Sequence, residues 1–147
     1  MAIDVQRLLA REFAPVEHTY GTRDTQLYAL GVGLGADPLD AGQLRYVYER
    51  AEGGLQALPT LVNVLGYGGF WADQPDTGID WRQLVHAEQA FVLQRPLPAE
   101  GRVIGANRVV ALHDKGAGKG ALMLQERRVT DATSGEQIGR ASCRERV

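Results

Sequence analysis

Three strand-like runs in the second half of the chain constrain the fold most. They are rich in β-branched and apolar residues and extend over Leu84 to Gln94, Arg102 to His113 and Ala121 to Thr130. Their connections, "RPLPAEG" and "DKGAGKG", are short and rich in Pro or Gly, which predicts antiparallel neighbours. An antiparallel sheet is therefore expected as the main layer.

The segment "ALPTLVNVLGYGGFWAD" precedes these runs and is almost entirely apolar. Pro59 can occupy the first turn of a helix, and a helix that is apolar on nearly every side is a buried one. The pattern predicts an α+β fold in which an antiparallel sheet is wrapped around a central apolar helix.

Three further elements are predicted nearer the N-terminus. "MAIDVQRLLAREF" is typical of a short amphipathic helix. "TRDTQLYALGVG" predicts a second helix, with Thr22 as its N-cap and with Gly31 and Gly33 ending it. "LRYVYER", from Leu44 to Arg50, has the alternating, aromatic-rich pattern of a strand.

The end of the chain has an unusual composition. "SGEQIGRASCRERV" begins like a turn and a strand and becomes charged and patternless after Arg140. We expect residues 1–140 to form one domain and residues 141–147 to be a tail that derives from truncation, a frameshift or vector sequence.

Length and charge exclude several classes of function. A chain of 147 residues can bury one sizeable core, and its net charge of -2 gives no general attraction to nucleic acid or to anionic membranes. The single cysteine, Cys143, excludes an internal disulfide and a cysteine-based zinc cluster. No apolar run approaches the roughly 18 residues of a membrane span. A cytoplasmic protein is expected.

Two glycine-rich motifs resemble nucleotide-binding loops. "GVGLGA", Gly31 to Ala36, follows a predicted helix, whereas a dinucleotide site needs a strand before the motif, so a helix stop is the better interpretation. "GAGKG", Gly116 to Gly120, has His113 where the leading glycine of a phosphate-binding loop belongs and lacks the final Ser or Thr.

Catalytic and metal-binding patterns are also weak. The histidines, His18, His86 and His113, lack the helical spacing of zinc hydrolases, so no metal site is predicted, although folding could bring ligands together. Asp80 precedes His86 by six residues but shares no helix face with it, and serine is too scarce for a serine hydrolase. No residue is assigned a catalytic role.

His86 and Glu88 stand at the head of the first long strand. Side chains alternate along a strand, so the two are expected to share one face. An acid–base pair, a metal site and a ligand-binding pair are the functional interpretations, and a solvated strand edge is the simplest alternative. Lys115 has a similar alternative, a solvated hairpin tip.

Several motifs together resemble one family. "TRDTQLYALGVG", "LRYVYE", "LPT", "LVHAEQAFVLQRPLPAEGRV" and "LHDKGAGKGALMLQE" occur in the order and spacing of the N-terminal half of the enoyl-CoA hydratase 2 family, the MaoC-like dehydratases, over about Tyr20 to Arg140. The resemblance implies a hot-dog fold and a lyase of fatty acid metabolism that hydrates trans-2-enoyl-CoA to (3R)-hydroxyacyl-CoA.

The family also implies roles for particular residues. Its strand histidine, the small residue after it and its hairpin lysine contact the CoA thioester substrate, and these positions are His86, Ala87 and Lys115 here. CoA thioester is the substrate and no cofactor is implied. The catalytic Asp and His of the family lie in a "D-x-N-P-x-H"-like motif of the C-terminal half, and this chain has no Asn-Pro.

The chain is thus expected to be the substrate-binding half of an (R)-specific 2-enoyl-CoA hydratase, inactive alone, whose partner is the missing catalytic hot-dog half or a partner subunit. A homodimer is a further expectation. One alternative is a non-catalytic acyl-CoA-binding subunit that pairs with a separate catalytic hot-dog chain. Another is a homodimeric hot-dog thioesterase, which needs an acid on or near its central helix.

Overall fold

A five-stranded antiparallel sheet is the main element of the computed structural model, which describes residues 3–116 and 118–147. Met1 and Ala2 of the predicted first helix and Ala117 of the glycine-rich hairpin lie outside the described residues. The strands are β1 (Val16–Tyr20), β2 (Val85–Leu93), β3 (Gly101–Asp114), β4 (Ala121–Asp131) and β5 (Gln137–Arg146). Their order across the sheet is β1-β3-β4-β5-β2.

The three predicted strands are confirmed as β2, β3 and β4, but one predicted pairing is wrong. β3 and β4 form the expected hairpin, whereas β2 pairs with β5 and not with β3. The connection from β2 to β3 crosses three strand spacings, about 14 Å, which seven residues in extended conformation span easily. Tyr20 and Thr25 hold this connection by donating to the carbonyls of Pro98 (3.0 Å) and Ala99 (2.7 Å).

The expectation that regular structure ends near Arg140 is also wrong. β5 continues to Arg146 and lies between β4 and β2, so its backbone hydrogen-bonds on both sides. Backbone pairing needs no apolar pattern, and two neighbours therefore hold a charged segment as a strand. β1, a short edge strand that pairs with β3, is not among the predicted elements.

Three short α-helices and two 3₁₀ helices accompany the sheet within residues 3–116 and 118–147. The α-helices are α1 (Val5–Leu9), α2 (Thr22–Gly31) and α3 (Ala41–Val47), and the 3₁₀ helices are Pro59–Asn63 and Trp81–Gln83. α2 ends at Gly31 as predicted, but its N-cap is Gly21 and not Thr22. A helix therefore precedes the "GVGLGA" motif, which supports its interpretation as a helix stop.

The predicted strand from Leu44 to Arg50 is wrong, because most of it belongs to α3. The carboxylate of Asp40 accepts hydrogen bonds from the backbone N–H groups of Gly42 (2.8 Å) and Gln43 (3.3 Å). This cap satisfies donors that a helix start leaves free, and the local cap outweighs the strand propensity of the aromatic residues.

The central apolar helix is much shorter than predicted. The segment after Pro59 forms a 3₁₀ helix of five residues and then turns at Gly66 and Gly69, whose φ angles are 64° and 87°. The helix ends at Asn63, and glycine adopts left-handed angles without steric cost, so Gly66 and Gly69 then redirect the chain and prevent a longer helix. The apolar segment is nevertheless buried at Leu61, Val62 and Leu65, as predicted.

Two apolar clusters form the core of the described part of the chain. The first joins the central segment to β1, β3, β4 and β5, and its buried members are Tyr20, Ala57, Leu61, Val62, Leu65, Leu97, Val103, Val129 and Ile138. The second joins α1 to β3 and β4, and its buried members are Leu8, Ala72, Ile79, Val109 and Met123. None of the helices within residues 3–116 and 118–147 has the length and apolar character needed to cross a membrane.

We expect Gly105→Ala to destabilise the fold by about 1–3 kcal/mol, the usual cost of overpacking. A methyl group added at Gly105 would lie 2.7 Å from the Cα of Gly66, and neither backbone can move without breaking its own contacts. The free energy of unfolding in urea measures the effect.

Gly31→Ala is the matched control, because no atom lies within 4 Å of a methyl group added there at the end of α2. Alanine should leave stability unchanged or raise it by up to about 1 kcal/mol. Equal unfolding free energies for the two variants would contradict the close packing of Gly66 on Gly105.

Candidate functional site

A cavity of about 560 Å³ lies on the inner face of the sheet, the face that carries the apolar core. Its floor comes from β2, β4 and β5, and its walls come from the residues after the 3₁₀ helix Pro59–Asn63 and from the segment between α1 and β1. Polar groups on its lining include Asn63, Tyr67, His86, Gln89, Gln125, Arg127 and Glu145. A pocket of this size that is partly apolar with a few polar groups is typical of a small-molecule site.

His86 and Glu88 do not share a face, so that expectation is wrong. His86 pairs with Glu145 of β5 and Glu88 with Arg144, which leaves Ala87 as the extra residue of a β-bulge. His86 lines the cavity, whereas the Glu88 carboxylate lies on the outer face and accepts from Arg144 at 2.7 Å. The pair is therefore neither an acid–base pair nor two ligands of one metal.

The same bulge directs Gln89 towards the cavity. The Gln89 side-chain amide donates to the Asn63 side chain at 3.1 Å and to the Ser142 carbonyl at 3.0 Å. Gln89 thus connects the edge strand to the central 3₁₀ helix and acts as a structural group.

A hydrogen-bonded chain crosses the cavity floor beside His86. The Trp71 indole donates to the Gln125 side-chain oxygen at 2.9 Å, and the Gln125 amide donates to the Glu145 carboxylate at 2.6 Å. Burial raises the pKa of Glu145 despite this hydrogen bond. These two hydrogen bonds fix the orientation of the half-buried Glu145 carboxyl group at the cavity wall.

His86, Cys143 and Glu145 bring their potential ligand atoms within 4.8 Å of one another. Burial and the nearby Glu145 raise the pKa of the Cys143 thiol to about 11. A metal ion binds the thiolate and the carboxylate, whereas burial favours the neutral forms of both groups. The absence of a metal site remains a prediction.

Arg127 is the buried cation of the cavity. Its Nη2 atom donates to the carbonyl of Asn63, the last residue of the 3₁₀ helix, and its guanidinium lies over the Tyr67 ring at 5.6 Å from the centroid. Arg127 is not among the residues predicted from the sequence. Its signal was the alternation along β4, in which Met123, Gln125, Arg127 and Val129 fall on the core face.

Lys115 is exposed in the β3–β4 hairpin, where its backbone N–H donates to the Gly120 carbonyl at 3.0 Å. The pairings His86–Glu145, Glu145–Met123 and Met123–Leu112 place Lys115 at the same end of the sheet as His86. Three strand spacings, about 14 Å, separate the two strands. His86 and Ala87 are adjacent, and an extended ligand is needed to reach Lys115 as well.

Cys143 should react slowly with iodoacetamide at pH 8 in the folded chain. A pKa that rises from 9.0 to about 11 lowers the thiolate fraction about 100-fold, and the thiolate is the nucleophile. The rate should increase with pH up to about 11 and should recover at pH 8 in guanidinium chloride. Equal rates in folded and unfolded chain would contradict the buried thiol.

A family model for the MFE-2 hydratase 2 N-terminal domain matches residues 18–143. The peroxisomal enoyl-CoA hydratase 2 of Arabidopsis thaliana is 35% identical over 135 residues, which cover 89% of this chain and 43% of that protein. A probable enoyl-CoA hydratase 2 of Dictyostelium discoideum is 31% identical over 143 residues, with 94% and 46% covered. The chain thus spans less than half the length of these relatives.

Solved structures give the same assignment. A MaoC-like dehydratase from Phytophthora capsici superposes with a TM-score of 0.78 at 26% identity over 99% of this chain and 49% of its own. The full-length peroxisomal multifunctional enzyme type 2 from Drosophila melanogaster gives 0.67 at 25% identity, with 90% and 23% covered. These similarities confirm the predicted hot-dog fold, and the chain belongs to the enoyl-CoA hydratase 2 family as an N-terminal, MaoC-like domain.

Proposed function

We propose that this domain is the substrate-binding half of an (R)-specific 2-enoyl-CoA hydratase and that it holds the acyl-CoA thioester. The observation that carries the proposal is the cavity of about 560 Å³ on the inner sheet face. A long helix was predicted there, and the 3₁₀ helix of five residues occupies only part of that space. The remaining volume suits an acyl chain, because it is lined by Phe70, Trp71 and Ala141 beside its polar groups.

The proposed roles of His86, Ala87 and Lys115 follow the resemblance and are compatible with the geometry. His86 lines the cavity, and Ala87 at the bulge adds only a methyl group beside the edge strand. An exposed lysine on a hairpin can meet the CoA phosphates as a point charge. The 3₁₀ helix beside them has the sequence PTLVN and therefore carries no acid or histidine that could act as a general base.

A non-catalytic acyl-CoA-binding subunit is the second candidate. Proteins of this fold occur in two-component assemblies, since the HadBC and ChsH1–ChsH2 complexes of Mycobacterium tuberculosis superpose with TM-scores of 0.58 and 0.63 at 16% and 15% identity. The nucleotide sequence after the codon for Arg140 distinguishes the candidates, because the first requires a fused catalytic half and the second a separate gene. A homodimeric thioesterase is disfavoured, since no acid lies on the 3₁₀ helix.

A cytoplasmic location belongs to the proposal as well, whereas the Arabidopsis relative is named as peroxisomal. Neither location changes the proposed chemistry of the site.

The chain alone should bind acyl-CoA but should not hydrate crotonyl-CoA or longer enoyl-CoA above background. Its 3₁₀ helix carries no acid or base to activate water, and such groups usually contribute roughly 10²–10⁴-fold each. Loss of enoyl absorbance measures hydration, and isothermal titration calorimetry measures binding. Turnover by chain purified free of host hydratase would refute the proposal that this half binds substrate without catalysing hydration.

Lys115→Ala should weaken binding of an acyl-CoA by about 1–3 kcal/mol at low salt, the range for a charge-assisted contact. The loss should shrink as salt is added, since exposed charges are screened over about 10 Å at 0.1 M. Titration calorimetry at two salt concentrations provides the measurement.

Lys119→Ala is the matched control, because Lys119 is exposed in the same hairpin and the change in net charge is identical. An acyl-pantetheine, which lacks the nucleotide phosphates, should bind wild type and Lys115→Ala alike. If both lysine variants lose affinity equally, the effect is one of overall charge and Lys115 has no specific role.

A further inference from the structure

Arg127 is a buried cation that the proposed binding of a hydrocarbon chain does not explain. The residue is 9% exposed and lines the cavity on the inner face of the sheet. Its Nη2 atom donates to the Asn63 carbonyl, but its buried Nε atom has no hydrogen-bond partner among residues 3–116 and 118–147. Buried polar atoms are nearly always paired in native proteins, so the described residues leave the hydrogen-bonding capacity of this guanidinium incompletely used.

The guanidinium also lacks a counter-ion. Within the described part of the chain, Arg127 makes no ion pair, and the acid next to it, Glu126, lies on the outer face between Arg108, Arg128 and Arg140. The groups beside Arg127 are the Tyr67 phenol and the Cys143 thiol. Burial raises the pKa of both, so both are neutral at pH 7.

An uncompensated buried charge is costly, and an anion in the cavity would offset that cost. Burial lowers the pKa of Arg127, but arginine remains protonated at pH 7. A carboxylate suits the site, because guanidinium N–H groups form charge-assisted hydrogen bonds with carboxylates and Arg127 lines the cavity.

The position of Arg127 indicates which part of an acyl-CoA would carry this anion. The backbone of Arg127 lies four residues along β4 from Met123. Met123 pairs with Glu145 of β5, which in turn pairs with His86 of β2. Four residues correspond to about 13 Å, in the direction away from the Lys115 hairpin. If Lys115 meets the CoA phosphates, the cavity at Arg127 receives the acyl chain.

We propose that Arg127 is a specificity-determining residue that selects acyl-CoA thioesters with a carboxylate on the acyl chain over thioesters with an unsubstituted hydrocarbon chain. The inference rests on the proposed function, since it assumes that the cavity holds the acyl group. It adds the chemical class of that group.

Three ligands of equal chain length test the inference on the 147-residue chain. They are dodecanoyl-CoA, the monothioester of dodecanedioic acid with CoA, and the methyl ester of that monothioester. Calorimetry should show the free acid binding about tenfold more tightly than either neutral chain. In Arg127→Met the ratio should fall to about one, because the charge is lost while an unbranched apolar side chain remains.

Arg128→Met is the matched control, because Arg128 is the next residue and its side chain is 52% exposed beside Glu126 on the outer face. Arg128→Met should keep the wild-type ratio of affinities between the free acid and the neutral chains. Arg127→Lys should retain much of the preference through its charge, and it replaces Arg127→Met if circular dichroism shows that the methionine variant is unfolded.

The outcomes separate the two proposals. Equal wild-type affinity for all three ligands would overturn the carboxylate preference and leave acyl-CoA binding intact. An equal loss for all three ligands in folded Arg127→Met would also overturn it, since Arg127 would then act on the shared CoA part or on the cavity wall. No binding of any acyl-CoA would refute the proposed function together with the inference.

Discussion

The close approach of Gly66 to Gly105 fixes how the central segment lies on the sheet. A methyl group at either glycine would come within 2.7 Å of the other backbone, and His18 of β1 accepts a hydrogen bond from the Gly66 N–H at 3.1 Å. Two contacts of Gly66 thus join β1 and β3 to the segment that follows the 3₁₀ helix. Because the segment turns away there, the neighbouring part of the inner face stays uncovered, and the cavity occupies it.

Regular alternation made much of the sheet predictable from sequence, and local backbone effects account for the errors. β2, β3 and β4 were recognisable because their apolar residues and turns follow the strand pattern. α3 could not be recognised from the sequence, because the Asp40 cap decides its conformation. The end of β5 could not be recognised either, because pairing on two sides holds a charged segment as a strand. Strand neighbours were misassigned where β5 enters between β4 and β2, since a sequence reports alternation but not register.

The consecutive charges at positions 126–128 show how a sheet gives adjacent residues different environments. Glu126 is 8% exposed and is compensated on the outer face by Arg108 (2.9 Å), Arg128 (3.3 Å) and Arg140 (3.4 Å). Arg127 is equally buried on the inner face without an acid beside it. In sequence, "ERR" is typical of a solvated surface, and only the alternation of β4 against an apolar face separates its members.

The β-bulge at Ala87 explains why the sequence indicates the strand that carries the candidate site but not which of its side chains face the cavity. Unbroken alternation would place His86 and Glu88 together and Gln89 on the opposite face. With one extra residue, His86 and Gln89 both face the cavity, and Glu88 pairs with Arg144 outside. β2 is an edge strand, where a bulge disturbs only one ladder of hydrogen bonds. The bulge therefore places His86 and Glu88 on opposite faces of the sheet and gives the cavity two polar side chains, His86 and Gln89, three residues apart.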